Sequence, residues 1–244
     1  MEDKMKKETM TSRERVLCAI GHKEADRVPI DLGMHFSTGI SAFAYYNLRE
    51  YLGLDTAHIG MPDMVQLLAR VDEDIIERFH IDTMLVNPPF DSYTRWHPYG
   101  KFEFDVPSNA PLQKAADGGW TMGSMRMPPD GFFFDGGWPS FHTGDFIGKT
   151  AVNAERIYKE TDKFTMFMDL GAFFGGIEHA CSMYTDPEDV IGQQEKALEW
   201  EIGRAGEIIR RAGRYIQGIT LNSDLGTQQT PMLRPAMYRG RNLM

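Results

Sequence analysis

Apolar and polar positions change rhythm several times along this 244-residue chain. In TSRERVLCAIG, residues 11–21, Val16, Leu17 and Ile20 stand at helical spacing. Thr11 and Glu14 have the spacing of a capping box, and Gly21 closes the segment. These positions predict a first helix with Val16, Leu17 and Ile20 as its inner face. Residues 27–31 follow as a short strand, with Pro29 near its start. Helical patterns then cover about 39–51, closed by Gly53, and about 63–79. The second of these turns Val65, Leu68, Ala69, Ile75 and Ile76 inward. IDTMLVNPP, residues 81–89, reads as a strand stopped by Pro88 and Pro89.

Residues 90–145 are rich in Gly, Pro and aromatic residues and poor in helix formers. ADGGW and RMPPDGFFFDGGW mark turns, so the stretch reads as an insertion of short hairpins and loops. Trp96, Trp120, Trp138 and the run Phe132, Phe133, Phe134 are read as its core. A helical pattern returns at about 150–161, and FTMFMDLG, residues 164–171, is a further strand. The next helix is the best specified. Asp186 is a natural N-cap and Pro187 a natural first residue. Leu198, Ile202, Ala205, Ile209 and Ala212 then recur at alternating spacings of four and three, ahead of Gly213. YIQGITLNSD, residues 215–224, is the last strand, and Pro235 opens another helix. Strands alternating with long helices predict parallel βαβ units and an α/β fold in one domain over 1–244.

Composition narrows the function classes. The net charge of −9 argues against nucleic acid, since counterion release needs a basic face. No apolar run is long enough to span a bilayer, and the charged MEDKMKKETM start lacks the apolar core of a signal peptide, so the expectation is a cytoplasmic protein. Two isolated cysteines, Cys18 and Cys181, do not make a disulfide framework.

MTSRERVLCAIGHKEADRVPIDLG resembles the N-terminal segment of the uroporphyrinogen decarboxylase superfamily. STGISAFAYYNLREYLGL, LLARVDEDIIERFHIDTMLVNPP, RMPPDGFFFD and SDLGTQQTPMLRPAMYR resemble a branch of it that is also similar to corrinoid-dependent methyltransferases, including methylcobamide:coenzyme M methyltransferases. The resemblance implies a (β/α)8 TIM-type barrel with its active site at the C-terminal mouth of the strands. The chain would hold about the first four βα units of an incomplete barrel, with the hairpin insertion at about 90–145. Unpaired strand edges would then favour self-association. The implied activity is methyl transfer between a corrinoid and an acceptor, with a small molecule or a corrinoid protein as partner. The zinc that activates the acceptor thiol in that branch is held by a His-x-Cys followed by Gly, after a later strand, and by a further Cys. The resemblance places these beyond residue 244, so no cofactor is expected within this chain. His179-Ala180-Cys181 matches by letters only: no strand precedes it and no Gly follows. On a helix, positions two apart point about 200° apart.

A decarboxylase of a porphyrin-like polycarboxylate is the alternative. Here the position of the arginine-rich motif that grips substrate carboxylates in that group reads DLGMHFSTGIS, and no Arg follows it until Arg49. The third reading is a non-catalytic module that binds a ligand or partner.

Strand ends nominate the site residues, because parallel α/β folds build sites there. Asp31, Asn87, Asp169 and Asp224 stand at such ends, although an Asp after a strand also serves as a turn or cap residue. His35 lies in a Gly-flanked loop. Asp169 precedes the glycines of LGAFFGG, with Glu178 one helical stretch beyond. Asp224 and Gln228 crowd an acid, an amide and hydroxyls into SDLGTQ. Asp224, Glu178 and Asp169 are therefore the catalytic candidates. Asp31, His35, Asn87 and Gln228 are the substrate-binding candidates.

Overall fold

The computed structural model describes residues 8–171, 176–222, 226–232 and 234–235. The elements run α1 (Ser12–Ile20), α2 (Ala42–Tyr51), α3 (Glu73–Arg78) and β1 (Thr83–Leu85). The insertion carries β2 (Tyr93–Trp96), β3 (Phe104–Pro107), β4 (Leu112–Lys114), β5 (Trp120–Met122) and β6 (Met125–Met127). Then come α4 (Phe146–Glu160), β7 (Phe164–Leu170), α5 (Gly176–Thr185), α6 (Pro187–Ala212) and β8 (Gly218–Leu221). The fold is α/β, as expected. β1, β7 and β8 form a parallel sheet in that order, and no barrel closes among the described residues. The insertion is built of antiparallel pairs, β2 with β3 and β4 with β5 with β6.

Local chemistry accounts for most elements. Thr11 and Glu14 form the capping box of α1, and Asp145 and Asp186 cap α4 and α6. Three apolar clusters result among the described residues, the smallest being Ala180, Met183 and Val190 with Met232. Phe43 and Tyr45 of α2 pack with Trp96, Phe104 and Phe134 of the insertion. Val86, Phe167 and Ile219 of the sheet pack with Ala154 and Ile157 of α4 and with Ile208 and Ala212 of α6. Gly218 leaves room for its neighbour, since an added Cβ would lie 2.2 Å from Met166 Sδ of the adjacent strand and would displace that side chain.

The face that α1 buries is charged. Arg15 is fully buried, whereas Leu17 and Ile20 are 49 % and 61 % exposed. Val16 alone of the predicted trio is buried. The reason lies beneath the helix, at the N-terminal end of the sheet. Asp82, also fully buried, takes Arg15 Nη1 at 2.6 Å, Arg27 Nη1 at 2.6 Å and the Ile30 N–H at 2.8 Å. Asp26 takes Arg15 Nε at 2.6 Å. Arg13 donates to the carbonyls of Tyr158, Thr161 and Lys163 and covers the Tyr158 ring. Carboxylates and carbonyl ends in this position demand donors, and α1 supplies guanidinium groups.

The same carboxylate explains why residues 27–31 are extended but form no strand. Asp82 N–H reaches Ile30 O at 2.7 Å, but the Asp82 side chain accepts the Ile30 N–H that a ladder would use. Pro29 has no N–H to offer. The helix expected over 63–79 is cut to α3. Asp63 Oδ1 accepts the N–H groups of Val65 and Gln66 at 2.7 and 3.2 Å, and Leu67 takes a left-handed φ of 53°, so the chain turns there. In the insertion, Trp96 and Phe134 are buried, but Trp138, Phe132 and Phe133 lie at the surface.

Replacing Asp82 by Asn takes one carboxylate from Arg15 and Arg27, which keep Asp26 and Glu8, and should cost about 1.5–3 kcal/mol at neutral pH, read from denaturant unfolding by circular dichroism. Arg15, with the Met10 and Thr9 amides, outweighs burial and holds Asp26 far below the usual carboxylate range. Burial pushes Asp82 up, but the bonds from Arg27, the Ile30 amide and Arg15 prevail and lower it. Both groups are depressed on folding, so their stabilisation is present above about pH 4 and is lost as the pH falls below it. The gap between parent and variant should therefore narrow from about pH 5 to about pH 2. A variant as stable as the parent at neutral pH would contradict this anchor.

Candidate functional site

The C-terminal ends of β1 and β7 open into two clefts that share Phe36, Pro62, Asn87, Phe90 and His142. One, of about 270 Å³, runs along β1 beside Leu32, Met84 and Arg70. The other, of about 670 Å³, lies between the end of the insertion and α6, beside Trp138, Met168, Trp200 and Arg204.

His142 stands at their junction. Its ring is 4.6 Å from that of Phe90 and 4.7 Å from that of Phe146, centre to centre. Neither ring nitrogen meets a hydrogen-bond partner among the described residues. Burial lowers its pKa, Lys149 and Arg70 lower it further, and Asp91 opposes them. Asp91 in turn accepts Lys149 Nζ and Thr143 Oγ1. The cleft thus holds a neutral imidazole able to accept a proton or a hydrogen bond from a bound molecule.

The sequence-nominated residues divide. His35 caps the short 3-10 helix Phe36–Thr38. Its Nδ1 accepts the Ser37 N–H at 2.9 Å, so Nε2 carries the hydrogen and donates to Asn222 Oδ1 at 2.7 Å. That bond joins the loop before α2 to the end of β8. Asn87 lines both clefts, but its amide is engaged: Nδ2 donates to Met168 O and Oδ1 accepts Met168 N–H at 3.1 Å. It extends the β1–β7 ladder by one side chain instead of presenting a free amide. Asp31 Oδ1 accepts Thr83 Oγ1 and the Met34 N–H, tying its loop to β1. Gln228 is exposed in the turn bridged by Gly226 and Pro231 and joins none of the others. Asp224 lies outside the described residues, as do the side chains of Asp169 on β7 and Glu178 on α5.

Two residues escaped sequence reasoning. His142 was visible only as a His among aromatic residues, shortly before the Asp145 cap. Glu201 sits on α6, 8 % exposed, with Oε1 taking the Gly171 N–H at 3.0 Å and Arg204 Nη1 at 3.4 Å, and with Oε2 buried and meeting no hydrogen-bond partner among the described residues. A Cβ at Gly171 would lie 2.6 Å from Glu201 Oε1, so a larger residue there would displace that carboxylate.

Comparison with protein-family models, with curated proteins and with solved structures finds no match. The site must therefore be judged on its own chemistry. The described residues do not fit a zinc site. No three His, Cys, Asp or Glu side chains converge among them. His179 and Cys181 lie on helix α5, where His179 Nε2 is 2.9 Å from Gln194 Nε2 and Cys181 is exposed. No helix among the described residues is long and apolar enough to cross a membrane.

The His142 imidazole should titrate below the ordinary histidine value of about 6.5, measured by NMR of its ring proton. Lys149→Met should move the midpoint up, and Asp91→Asn should move it down. Because the folded-state value is depressed, the neutral ring's contribution to stability is present above about pH 6.5 and lost as the pH falls. A midpoint above 6.5 that ignores both substitutions would contradict the electrostatics described.

Proposed function

We propose that the β1, β7 and β8 sheet is an arc of a (β/α)8 barrel of the uroporphyrinogen decarboxylase type, and that its mouth binds a small molecule beside His142. The strand order supports the barrel reading. β1, β7 and β8 are neighbours in chain order, all parallel, and the crossover helices α4 and α6 pack against each other. A doubly wound sheet reverses its order and places helices on both faces. The observation that carries the site is His142, an imidazole with no hydrogen-bond partner among the described residues, shared by two clefts at the strand ends. Ligand sites of this kind are mostly apolar with a few convergent polar groups.

Methyl transfer involving a corrinoid is the chemistry we assign first, on the resemblance of the sequence segments. A polycarboxylate decarboxylase is the second reading. It draws support from Arg70, which lines the smaller cleft and makes one hydrogen bond, to Tyr93 Oη at 3.0 Å. A non-catalytic binding module would use the same cleft without turnover.

Isothermal titration separates the three, with hydroxocobalamin as the corrinoid probe and coproporphyrin as the polycarboxylate probe. The first reading expects hydroxocobalamin to bind. Trp200→Ala, which removes an exposed aromatic wall of the larger cleft, should then weaken it at least about tenfold, a loss of roughly 1.4 kcal/mol. Porphyrin binding alone would replace that reading with the second. Binding of neither probe would remove both and leave the module.

A further inference from the structure

The smaller cleft carries cations and no acid. Its lining includes Arg70, Arg156 and His142, and no Asp or Glu, in a chain whose net charge is −9. Every residue that lines it is a described one, and none belongs to β7 or β8. Arg156 is engaged: it donates to Glu160 Oε2 at 3.0 Å and to Asn153 Oδ1 at 3.2 Å. Arg70 meets no carboxylate within ion-pair distance among the described residues. Asp72, two positions on, is taken by Arg49 Nη1 at 2.9 Å and by Tyr45 Oη at 2.8 Å. Asp31 accepts the hydroxyl of Thr83 but does not itself line the cleft.

Arg70 is exposed, yet its place is fixed. Its backbone N–H donates to Gly60 O at 2.7 Å. Its Nη2 donates to Tyr93 Oη at 3.0 Å, and the guanidinium lies 6.0 Å from the centre of the Tyr93 ring. The same Tyr93 oxygen accepts the Phe90 N–H at 3.0 Å. The Phe90 ring in turn stands 4.6 Å from that of His142. One phenol oxygen therefore holds Arg70 beside the two residues that both clefts share, and leaves the rest of its N–H fork unused by the described residues.

We propose that the smaller cleft takes a small monocarboxylic acid, with Arg70 holding the carboxylate by two parallel N–H···O bonds and the body of the acid lying along Phe90 and His142. This rests on the reading that the mouth binds a small molecule beside His142, and not on which reaction follows. A planar guanidinium fork matches a carboxylate in two parallel bonds. A phosphate dianion would call for further donors, and the other arginine of the cleft is already bonded. Leu32, Met34, Met84 and Ile157 supply apolar wall for a hydrocarbon body, and a volume of about 270 Å³ keeps that body small.

Isothermal titration with benzoate, benzamide and phenyl phosphate tests this. Benzoate should bind, and benzamide, of the same shape without the charge, should bind at least about fivefold more weakly, the scale of a solvent-accessible bidentate pair. Phenyl phosphate should bind no better than benzoate. The His142 ring-proton resonance should shift on adding benzoate, which locates the acid. Arg70→Met should weaken benzoate at least about fivefold and leave benzamide unchanged. Arg70→Lys, which keeps the charge and loses the fork, should fall between parent and Arg70→Met. Arg156→Met controls for a general effect of charge and should change benzoate binding less than about twofold. Circular dichroism checks that each variant folds as the parent does. Benzamide binding as tightly as benzoate, equal losses in Arg70→Met and Arg156→Met, or tighter binding of phenyl phosphate would overturn the carboxylate site while the mouth remains a small-molecule site. Failure of benzoate to bind at millimolar concentration would overturn it as well, and binding of benzamide or hydroxocobalamin in that case would keep the wider reading of the mouth.

Discussion

A buried carboxylate organises this molecule. Asp82 lies immediately before β1, at the N-terminal end of the parallel sheet, and accepts Arg15, Arg27 and the Ile30 amide at once. Its own backbone bonds Ile30 on one side and Phe164 on the other. One residue therefore joins α1, the extended 26–31 segment, β1 and β7. An isolated buried charge would be prohibitive, and the guanidinium groups make it tolerable only in this geometry. Arg15 also pairs with Asp26, and both arginines meet Glu8, so the network specifies one packing of the N-terminal segment on the sheet.

That anchor separates the two ends of the sheet by task. The N-terminal end is closed by ion pairs and by the Arg13 contacts to the chain after α4. The C-terminal end is left to loops: the 3-10 turn at Phe36–Thr38, the end of the insertion and the start of α4. Barrel-type folds place stability at the first end and chemistry at the second. On the proposed barrel reading, the C-terminal end of the sheet follows that division. Some polar groups there are already committed, as Asn87 is to Met168. His142 is held between two aromatic rings with its nitrogens unused by the described residues.

Elements with a local chemical cause were legible from the sequence. The capping box of α1, the Asp186–Pro187 start of α6 and the hairpins of the insertion each rest on a few adjacent residues. Elements decided by distant partners were not. Residues 27–31 lost their ladder to the side chain of Asp82, 55 positions from Arg27. The helix expected at 63–79 lost its first half to the Asp63 turn. On α1 and α6, apolar periodicity pointed to faces that the structure leaves exposed, because Arg15 and Glu201 take the buried positions. At the site, spacing could nominate strand ends but could not show that Asn87 and Asp31 spend their polar atoms on neighbouring backbone and side chains. His142 carried no motif, since its importance comes from rings and strand ends far away in sequence.

Hydrogen–deuterium exchange by mass spectrometry, with and without hydroxocobalamin, tests the central claim most directly: an anchored lower end and a ligand-binding mouth. In the protein alone, the amides of Ile30, Asp82, Phe164 and β7 should exchange slowest, since they are bonded within or beside the Asp82 cluster. On adding the probe, protection should rise at residues 34–38, 87–90, 138–146 and 200–204 and nowhere near α1. Fast exchange around Asp82, or protection that appears at the α1 end of the sheet and not at the mouth, would contradict the account.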